Sequence, residues 1–269
     1  MPKVMLVLSD ALRDDMARAH MGYCELLVET RKATRYTIIG QLPSLSRPCY
    51  ETVHTGVPAT EHGILTNHKV KLSKMPNVFS IAREHGLTTG AVAYSWFHEL
   101  YNGTWHPVLD REVNDENKTI QYGRFYAEDD FPDITCYALA GMVMARHQPN
   151  YLLVHPMGLD HIGHAKGGDS EEYADQVIVQ DQCLATFVPQ ALALGYDVMV
   201  TGDHGMTSQG NHNGTLPEAR RVPLYMIWSD GNGRGETFEE KSQLSIAPTI
   251  LSLLELPVPE TMKADELLS

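Results

Sequence analysis

Short apolar runs alternate with longer stretches of mixed polarity along most of the chain. The runs occupy residues 4–8, 90–94, 151–155, 196–201 and 223–228. Three of them follow stretches that we predict to be helical, at 77–85, 133–146 and 172–193. Short buried strands that alternate with helices predict an α/β fold with a mainly parallel central sheet flanked by helices.

The chain offers enough apolar material for one large core. It has 269 residues, of which 43% are hydrophobic, and we find neither an internal repeat nor a low-complexity linker. The segment 96–131 is richer in aromatic, polar and turn residues than its surroundings. We predict that this segment is a lid or insertion over the sheet, and an ordinary surface excursion is the equal alternative.

Charge and cysteine content narrow the class of protein. The formal net charge of -13 at pH 7 argues against stable binding of nucleic acid. It leaves a phosphate substrate possible, because bound metal ions can invert the local potential. The four cysteines form no CxxC pair, and no apolar run approaches the roughly 20 residues of a membrane span. We therefore expect reduced thiols, no membrane partner and a cytoplasmic protein.

Acidic residues follow three of the predicted strands. Asp10 comes after the first, Asp160 a few residues after the third, and Asp203 with His204 after the fourth. Ligands gather at the carboxyl ends of strands in open α/β sheets. A single Asp at such a place is more often a turn former or a helix cap. Three acids accompanied by histidines instead predict a shared site.

Histidine spacing suggests which kind of site this is. Asp160 and His164 are four residues apart, so a helix would present both on one face. His212 lies in a tight loop at 210–214. Carboxylates and imidazoles together suit zinc or a similar first-row divalent ion. The chain has 13 histidines, so chance pairing with acids is the competing interpretation.

Ser46 is the candidate nucleophile. It would open a helix that ends near Gly56, and the amide groups at a helix N-terminus favour an anion. A bound metal ion could ionise a hydroxyl placed there. The alternative is an ordinary N-cap serine.

Together these motifs resemble the alkaline phosphatase superfamily, and within it the nucleotide pyrophosphatase/phosphodiesterase branch. The resemblance rests on Asp-x-x-x-His at 160–164 and Asp-His-Gly-Met at 203–206, in that order and spacing. It extends over the segments 9–13, 43–56, 58–64 and 246–259. It implies one alkaline-phosphatase-like catalytic domain over 1–269.

The resemblance also implies two divalent metal ions, with zinc preferred over manganese. One ion would be bound by Asp160, His164 and His212. The other would be bound by Asp10, Asp203, His204 and the oxygen of Ser46. Ser46 would attack phosphorus and form a phospho-enzyme intermediate, which water would then hydrolyse.

The chain departs from the phosphodiesterase branch at two places. Cys49 stands where that branch has an Asn that holds a phosphate oxygen, and we expect Arg47, Asn67 and Asn213 to substitute as substrate-binding donors. His212 follows Asp203 after only a short loop, which is more similar to the phosphoethanolamine transferases of glycolipid anchor synthesis. The nucleophile pattern of sulfatases is absent from the sequence.

These observations predict an enzyme that hydrolyses phosphodiester or phosphate ester bonds in a small molecule. A phosphonate hydrolase and a phosphomonoesterase are the enzymatic alternatives. A metal- or phosphate-binding module without catalysis, or a Rossmann-like domain with scattered surface histidines, would explain the same residues without chemistry. Nothing in the sequence selects the leaving group.

Overall fold

The computed structural model describes residues 1–268, which form an α/β fold around one nine-stranded sheet. The strands are β1 (Lys3–Ser9), β2 (Ala33–Ile39), β3 (Thr89–Tyr94), β4 (Glu112–Asn114), β5 (Tyr122–Tyr126), β6 (Tyr151–Val154), β7 (Tyr196–Gly202), β8 (Arg221–Ile227) and β9 (Gly235–Ser242). The helices are α1 (Asp14–His20), α2 (Gly22–Glu29), α3 (Ser46–Thr55), α4 (Ala59–His62), α5 (Val78–Glu84), α6 (Ser95–Tyr101), α7 (Asp133–His147), α8 (Gly158–Lys166), α9 (Glu171–Ala193), α10 (Pro217–Arg220) and α11 (Ile246–Leu253).

The sheet is mixed, so the prediction of a mainly parallel sheet is wrong. Its strand order is β4-β5-β3-β6-β1-β7-β8-β2-β9. Strands β5, β3, β6, β1 and β7 run parallel to one another, whereas the β4–β5, β7–β8 and β8–β2 pairs are antiparallel. A parallel neighbour needs a crossover, usually a long helix. The chain between β7 and β8 contains only the short helix α10, and β8 returns antiparallel.

The five strands predicted from apolar runs are all present, as β1, β3, β6, β7 and β8. Strands β2, β4, β5 and β9 were not predicted. The segment 96–131 contributes helix α6 and the strands β4 and β5, which form one edge of the sheet. Its role as a lid stays a prediction.

Strand β1 shows how the core is built. Val4, Leu6 and Leu8 pack into the cluster on one face of the sheet, and Met5 and Val7 into the cluster on the other. This alternation follows from the two-residue period of a strand. Helices cover both faces, so a central strand is apolar throughout until its carboxyl end, where Ser9 and Asp10 begin the polar site.

The parallel strands bring distant parts of the sequence to one edge. Ser9 pairs with Gly202, and Val7 pairs with Val154. The residues that follow β1, β6 and β7 therefore meet at the carboxyl ends of three adjacent strands. No helix among residues 1–268 combines the length and the apolar character needed to cross a membrane.

Candidate metal centre

Asp10, Asp203 and His204 form the buried floor of the centre. His204 Nε2 lies 3.1 Å from Asp203 Oδ2 and 3.4 Å from Asp10 Oδ1. All three side chains are completely buried. The pairing of Ser9 with Gly202 explains this contact, because the next residue on each strand enters the same space.

Ser46 faces this floor from the beginning of helix α3. Leu45, not Ser46, is the N-cap residue of this helix, so Ser46 does not occupy the capping position. The Ser46 hydroxyl instead lies 3.2 Å from His204 Nε2. The side chain is therefore directed at the acids and histidines rather than at the backbone of its own helix.

Asp160, His164 and His212 form the second half of the centre. Asp160 Oδ1 lies 3.4 Å from His164 Nε2, one turn later on helix α8, and 3.8 Å from His212 Nε2. The His212 ring stacks on His204 with centroids 3.7 Å apart. The structure thus brings the six predicted ligand side chains and Ser46 into one cluster.

Backbone carbonyls set the protonation of the three imidazoles. The Nδ1 atoms of His164, His204 and His212 lie 2.8, 3.0 and 2.8 Å from the carbonyl oxygens of Gly210, Gly205 and Ser44. A carbonyl only accepts, so each Nδ1 carries a hydrogen, and in the neutral form of such a ring Nε2 has the free lone pair. Burial, with the neighbouring His212, lowers the pKa of His204 to about 3, and burial also lowers the pKa of His212. Neutral rings with free Nε2 atoms are metal ligands.

Each aspartate of the centre has one buried oxygen for which the described part of the chain provides no hydrogen-bond partner. These atoms are Asp10 Oδ1, Asp160 Oδ1 and Asp203 Oδ2. Burial, together with the charge of Asp10, raises the pKa of Asp160 and of Asp203 well above the usual range. Burial also acts to raise the pKa of Asp10, but His155 and His204 outweigh it and lower this pKa to about 2.

The donor set therefore fits divalent cations. Burying carboxylate oxygens without partners is costly, and a cation would satisfy all three. Among the described residues, two groups of side chains have ligand atoms that all lie within 4.8 Å of one another inside the group. One group is Asp10, Asp203 and His204, and the other is Asp160, His204 and His212. Mixed carboxylate and imidazole ligands suit zinc or another first-row ion. His204 belongs to both groups, whereas His164 belongs to neither.

Sequence reasoning missed two residues that contact this centre. The Tyr50 hydroxyl donates to Asp10 Oδ2, and His155 Nε2 lies 3.2 Å from the same oxygen. Tyr50 lies one turn after Ser46, and His155 ends the predicted strand 151–155. Their positions in the sequence were therefore the available signal.

The expected substrate-binding residues have different environments. Arg47 is buried, pairs with Glu99 at 2.7 Å and lies over the Trp96 ring, while its Nη1 has no hydrogen-bond partner among the described residues. Asn67 Oδ1 accepts from the Arg47 backbone N–H at 3.1 Å, which places Asn67 beside Ser46, whereas Asn213 is exposed.

Cys49 lies on the same helix as Ser46 and Arg47. It is buried, its sulfur is 3.8 Å from the Pro43 carbonyl oxygen, and burial raises the pKa of its thiol. A neutral thiol is a weak donor, so Cys49 is a poor replacement for a phosphate-binding Asn.

The centre places acids and histidines after parallel strands, opposite a hydroxyl at the start of a helix. The sequence led us to expect this arrangement from its resemblance to the alkaline phosphatase superfamily. Comparison with known proteins confirms that the chain is a member of this superfamily. Residues 4–219 match the family described as type I phosphodiesterase / nucleotide pyrophosphatase. The chain belongs to that family.

Among curated proteins, the chain is similar to the human GPI ethanolamine phosphate transferase 2, catalytic subunit. The two are 25% identical over 272 residues, which cover 96% of this chain and 27% of the human protein. The chain thus spans about a quarter of the length of this relative.

Solved structures show the same fold. Murine ectonucleotide pyrophosphatase / phosphodiesterase 5 superimposes with a TM-score of 0.71 at 14% identity and 96% coverage of both chains. The phosphonate monoester hydrolase from Silicibacter pomeroyi superimposes with a TM-score of 0.64 at 13% identity, covering 99% of this chain and 76% of that one.

Proposed function

We propose that the protein cleaves a phosphodiester or phosphate ester of a small molecule, with two divalent metal ions and with Ser46 as nucleophile. The observation that carries this proposal is the position of Ser46. Its hydroxyl lies 3.2 Å from His204 Nε2, and Leu45 rather than Ser46 occupies the capping position of the helix. Around it are buried carboxylate oxygens that have no hydrogen-bond partner within residues 1–268.

Two sets of residues would hold the ions. Asp160, His164 and His212 would bind one, and Asp10, Asp203, His204 and the Ser46 oxygen would bind the other. Zinc is the ion we expect, with manganese as the alternative. When bound, such ions polarise phosphoryl oxygens and lower the pKa of hydroxyl groups and water.

Ser46 then performs a two-step transfer. The Ser46 hydroxyl gives its proton to water while its oxygen forms a bond to phosphorus and the bond from phosphorus to the leaving oxygen breaks, and the leaving alkoxide takes a proton from water. Water next attacks the phosphoserine, releases the phosphate group and returns a proton to Ser46. The N-terminal amides of helix α3 favour the anionic group throughout.

A second candidate is transfer of ethanolamine phosphate, in which an alcohol replaces water in the second step. The human relative is named for this group. One feature of the strand ends favours a cationic headgroup. Tyr94, at the end of β3, donates to the exposed carboxylate of Asp129 at 2.9 Å, and its ring packs edge-on to Trp96. A carboxylate beside aromatic rings suits an ammonium group.

The assay described below also distinguishes the remaining alternatives. A phosphonate hydrolase or a phosphomonoesterase would use the same centre, and a binding module would use it without turnover. The cytoplasmic location, and the lack of nucleic-acid and membrane partners, stay predictions from the sequence.

The test compares bis-p-nitrophenyl phosphate, p-nitrophenyl phosphate and p-nitrophenyl phenylphosphonate, with and without added Zn²⁺ or Mn²⁺. We expect metal-dependent turnover with preference for the diester. Ser46→Ala should lower turnover roughly 10³-fold or more. Ser95→Ala is the matched control, because Ser95 is also buried and also begins a helix. Equal rates for Ser46→Ala and the wild type would contradict the proposal.

A further inference from the structure

The two oxygens of Asp10 have different surroundings. Oδ2 accepts from the Tyr50 hydroxyl and lies 3.2 Å from His155 Nε2. Oδ1 has no hydrogen-bond partner among the described residues, although the side chain is completely buried. Asp10 therefore enters the centre with one oxygen satisfied by the protein and one oxygen available.

Tyr50 ties the helix of the nucleophile to this carboxylate. It lies four residues after Ser46 on helix α3, so both side chains are on one face. The Tyr50 ring is completely buried, stacks on Phe97 at 4.4 Å and meets His155 edge-on at 4.8 Å. Packing on these sides fixes the hydroxyl, so a single hydrogen bond links the Ser46 helix to the end of β1.

His155 lies beside the same oxygen from another strand, with its Nε2 at 3.2 Å, and neither of its ring nitrogens has a hydrogen-bond partner among the described residues. It follows β6, its backbone N–H donates to the Val92 carbonyl at 2.9 Å, and its own carbonyl accepts from the Tyr126 hydroxyl. Its ring is completely buried and meets Phe97 at 4.9 Å. The Tyr50 hydrogen bond and the close His155 ring, each fixed by a different element, thus both act on one oxygen of the Asp10 carboxylate.

We propose that Tyr50 and His155 are positioning residues that hold Oδ2 of Asp10, so that Asp10 offers only Oδ1 to the ion shared with Asp203, His204 and Ser46. This inference rests on the proposed function. Without these two contacts the carboxylate would be free to rotate, and the Ser46 helix would lose its hydrogen bond to the end of β1. The site formed by Asp160, His164 and His212 contains neither contact and should be unaffected.

The test is a calorimetric titration of the metal-free full chain with Zn²⁺. The wild type should bind two ions. Tyr50→Phe and His155→Leu should each weaken one of the two affinities about 10- to 100-fold and leave the other unchanged, because such supporting contacts typically contribute that much. His155→Gln keeps an N–H donor and should recover part of the loss.

Tyr151→Phe is the matched control. Tyr151 is also completely buried, but its hydroxyl hydrogen-bonds to His54 and not to Asp10. It should bind both ions with wild-type affinity. Circular dichroism checks the fold of every variant, and the His155→Leu and His155→Gln pair carries the test if Tyr50→Phe does not fold.

Three results would overturn the inference. Unchanged Zn²⁺ affinities in Tyr50→Phe and His155→Leu would show that the contacts do not position Asp10. Equal weakening of both affinities, shared by Tyr151→Phe, would show a general effect on the fold. Failure of the wild type to bind Zn²⁺ would instead remove the proposed function itself, and this inference with it.

Discussion

The residues that meet in the cluster could be predicted at the residue scale, whereas the contacts that Tyr50 and His155 make with Asp10 could not. Asp10, Asp160 and Asp203 stand out because acidic residues shortly after apolar runs are visible in the sequence. Tyr50 and His155 are aromatic residues whose rings pack in the core, so in the sequence they look like ordinary buried residues. Their contact with Asp10 depends on how α3 and β6 meet, which only the assembled structure shows.

Glu51 provides a prediction about pH. Its carboxylate is completely buried and accepts from the Ser73 and Tyr101 hydroxyls. Burial outweighs these bonds and raises its pKa from 4.5 to about 7. Between these values the folded protein keeps a proton that the unfolded chain has released, so stability falls as pH rises and levels off above pH 7.

Glu51→Gln should remove this dependence. The difference in unfolding free energy between Glu51→Gln and the wild type should grow by about 3 kcal/mol between pH 4.5 and 8. Urea unfolding across this range measures it. Tyr101→Phe, which removes one hydrogen bond to the carboxylate, should move the transition to higher pH. A difference that does not change with pH would refute the assignment.

At the scale of elements, strands with apolar runs were predicted and strands with polar residues were not. Strand β2 contains Arg35, which is buried because Asp14, Glu25 and Glu236 pair with it, so its sequence does not show its burial. Strand β9 is an edge strand whose middle residues, 238–240, are exposed, and β4 has only three residues. Each departs from the simple apolar pattern for a physical reason.

The Asp-His-Gly-Met turn provides a prediction about backbone packing. A Cβ added to Gly205 would lie 2.0 Å from the Glu218 carbonyl oxygen, and the Gly205 N–H donates to Ala219 at 2.9 Å. Gly205→Ala should therefore separate these segments and cost about 1–3 kcal/mol of stability. Since the Gly205 carbonyl also orients His204, Zn²⁺ affinity should fall as well.

Gly141→Ala is the matched control for this substitution. Gly141 lies within helix α7, and an added Cβ would meet nothing within 4 Å. Alanine there should raise stability by up to about 1 kcal/mol. Both variants are compared by the midpoint of urea unfolding. If Gly205→Ala were as stable as Gly141→Ala, the close approach would have no energetic consequence.

At the scale of the whole molecule, the sequence allowed the position of the site to be predicted, but only some of the strand directions. Helices between β1, β3, β6 and β7 indicate parallel neighbours, which places their carboxyl ends together. The return of β8 depends on the connection between β7 and β8, which contains only the short helix α10 and not the long helix of a crossover. The centre forms where the prediction was sound, within the parallel part of the sheet.

Because three buried carboxylates share the centre, metal ions should stabilise the entire domain. Each site held at 100 times its dissociation constant adds about 2.7 kcal/mol to the free energy of unfolding. Treatment with EDTA should therefore lower the unfolding temperature, and added Zn²⁺ should restore it. Asp160→Asn should show a smaller shift, because one site loses a ligand. An unfolding temperature that does not respond to EDTA or Zn²⁺ would contradict metal binding.

Anomalous diffraction from crystals of the full chain soaked in Zn²⁺ tests the two-metal centre most directly. We expect two peaks within the cluster, one bounded by Asp10, Asp203, His204 and the Ser46 oxygen, and the other by Asp160, His164 and His212. Crystals of Asp160→Asn should show the second peak weakened and the first retained. Zn²⁺ bound only elsewhere on the surface, with the cluster empty, would contradict the two-metal centre and the chemistry proposed for Ser46.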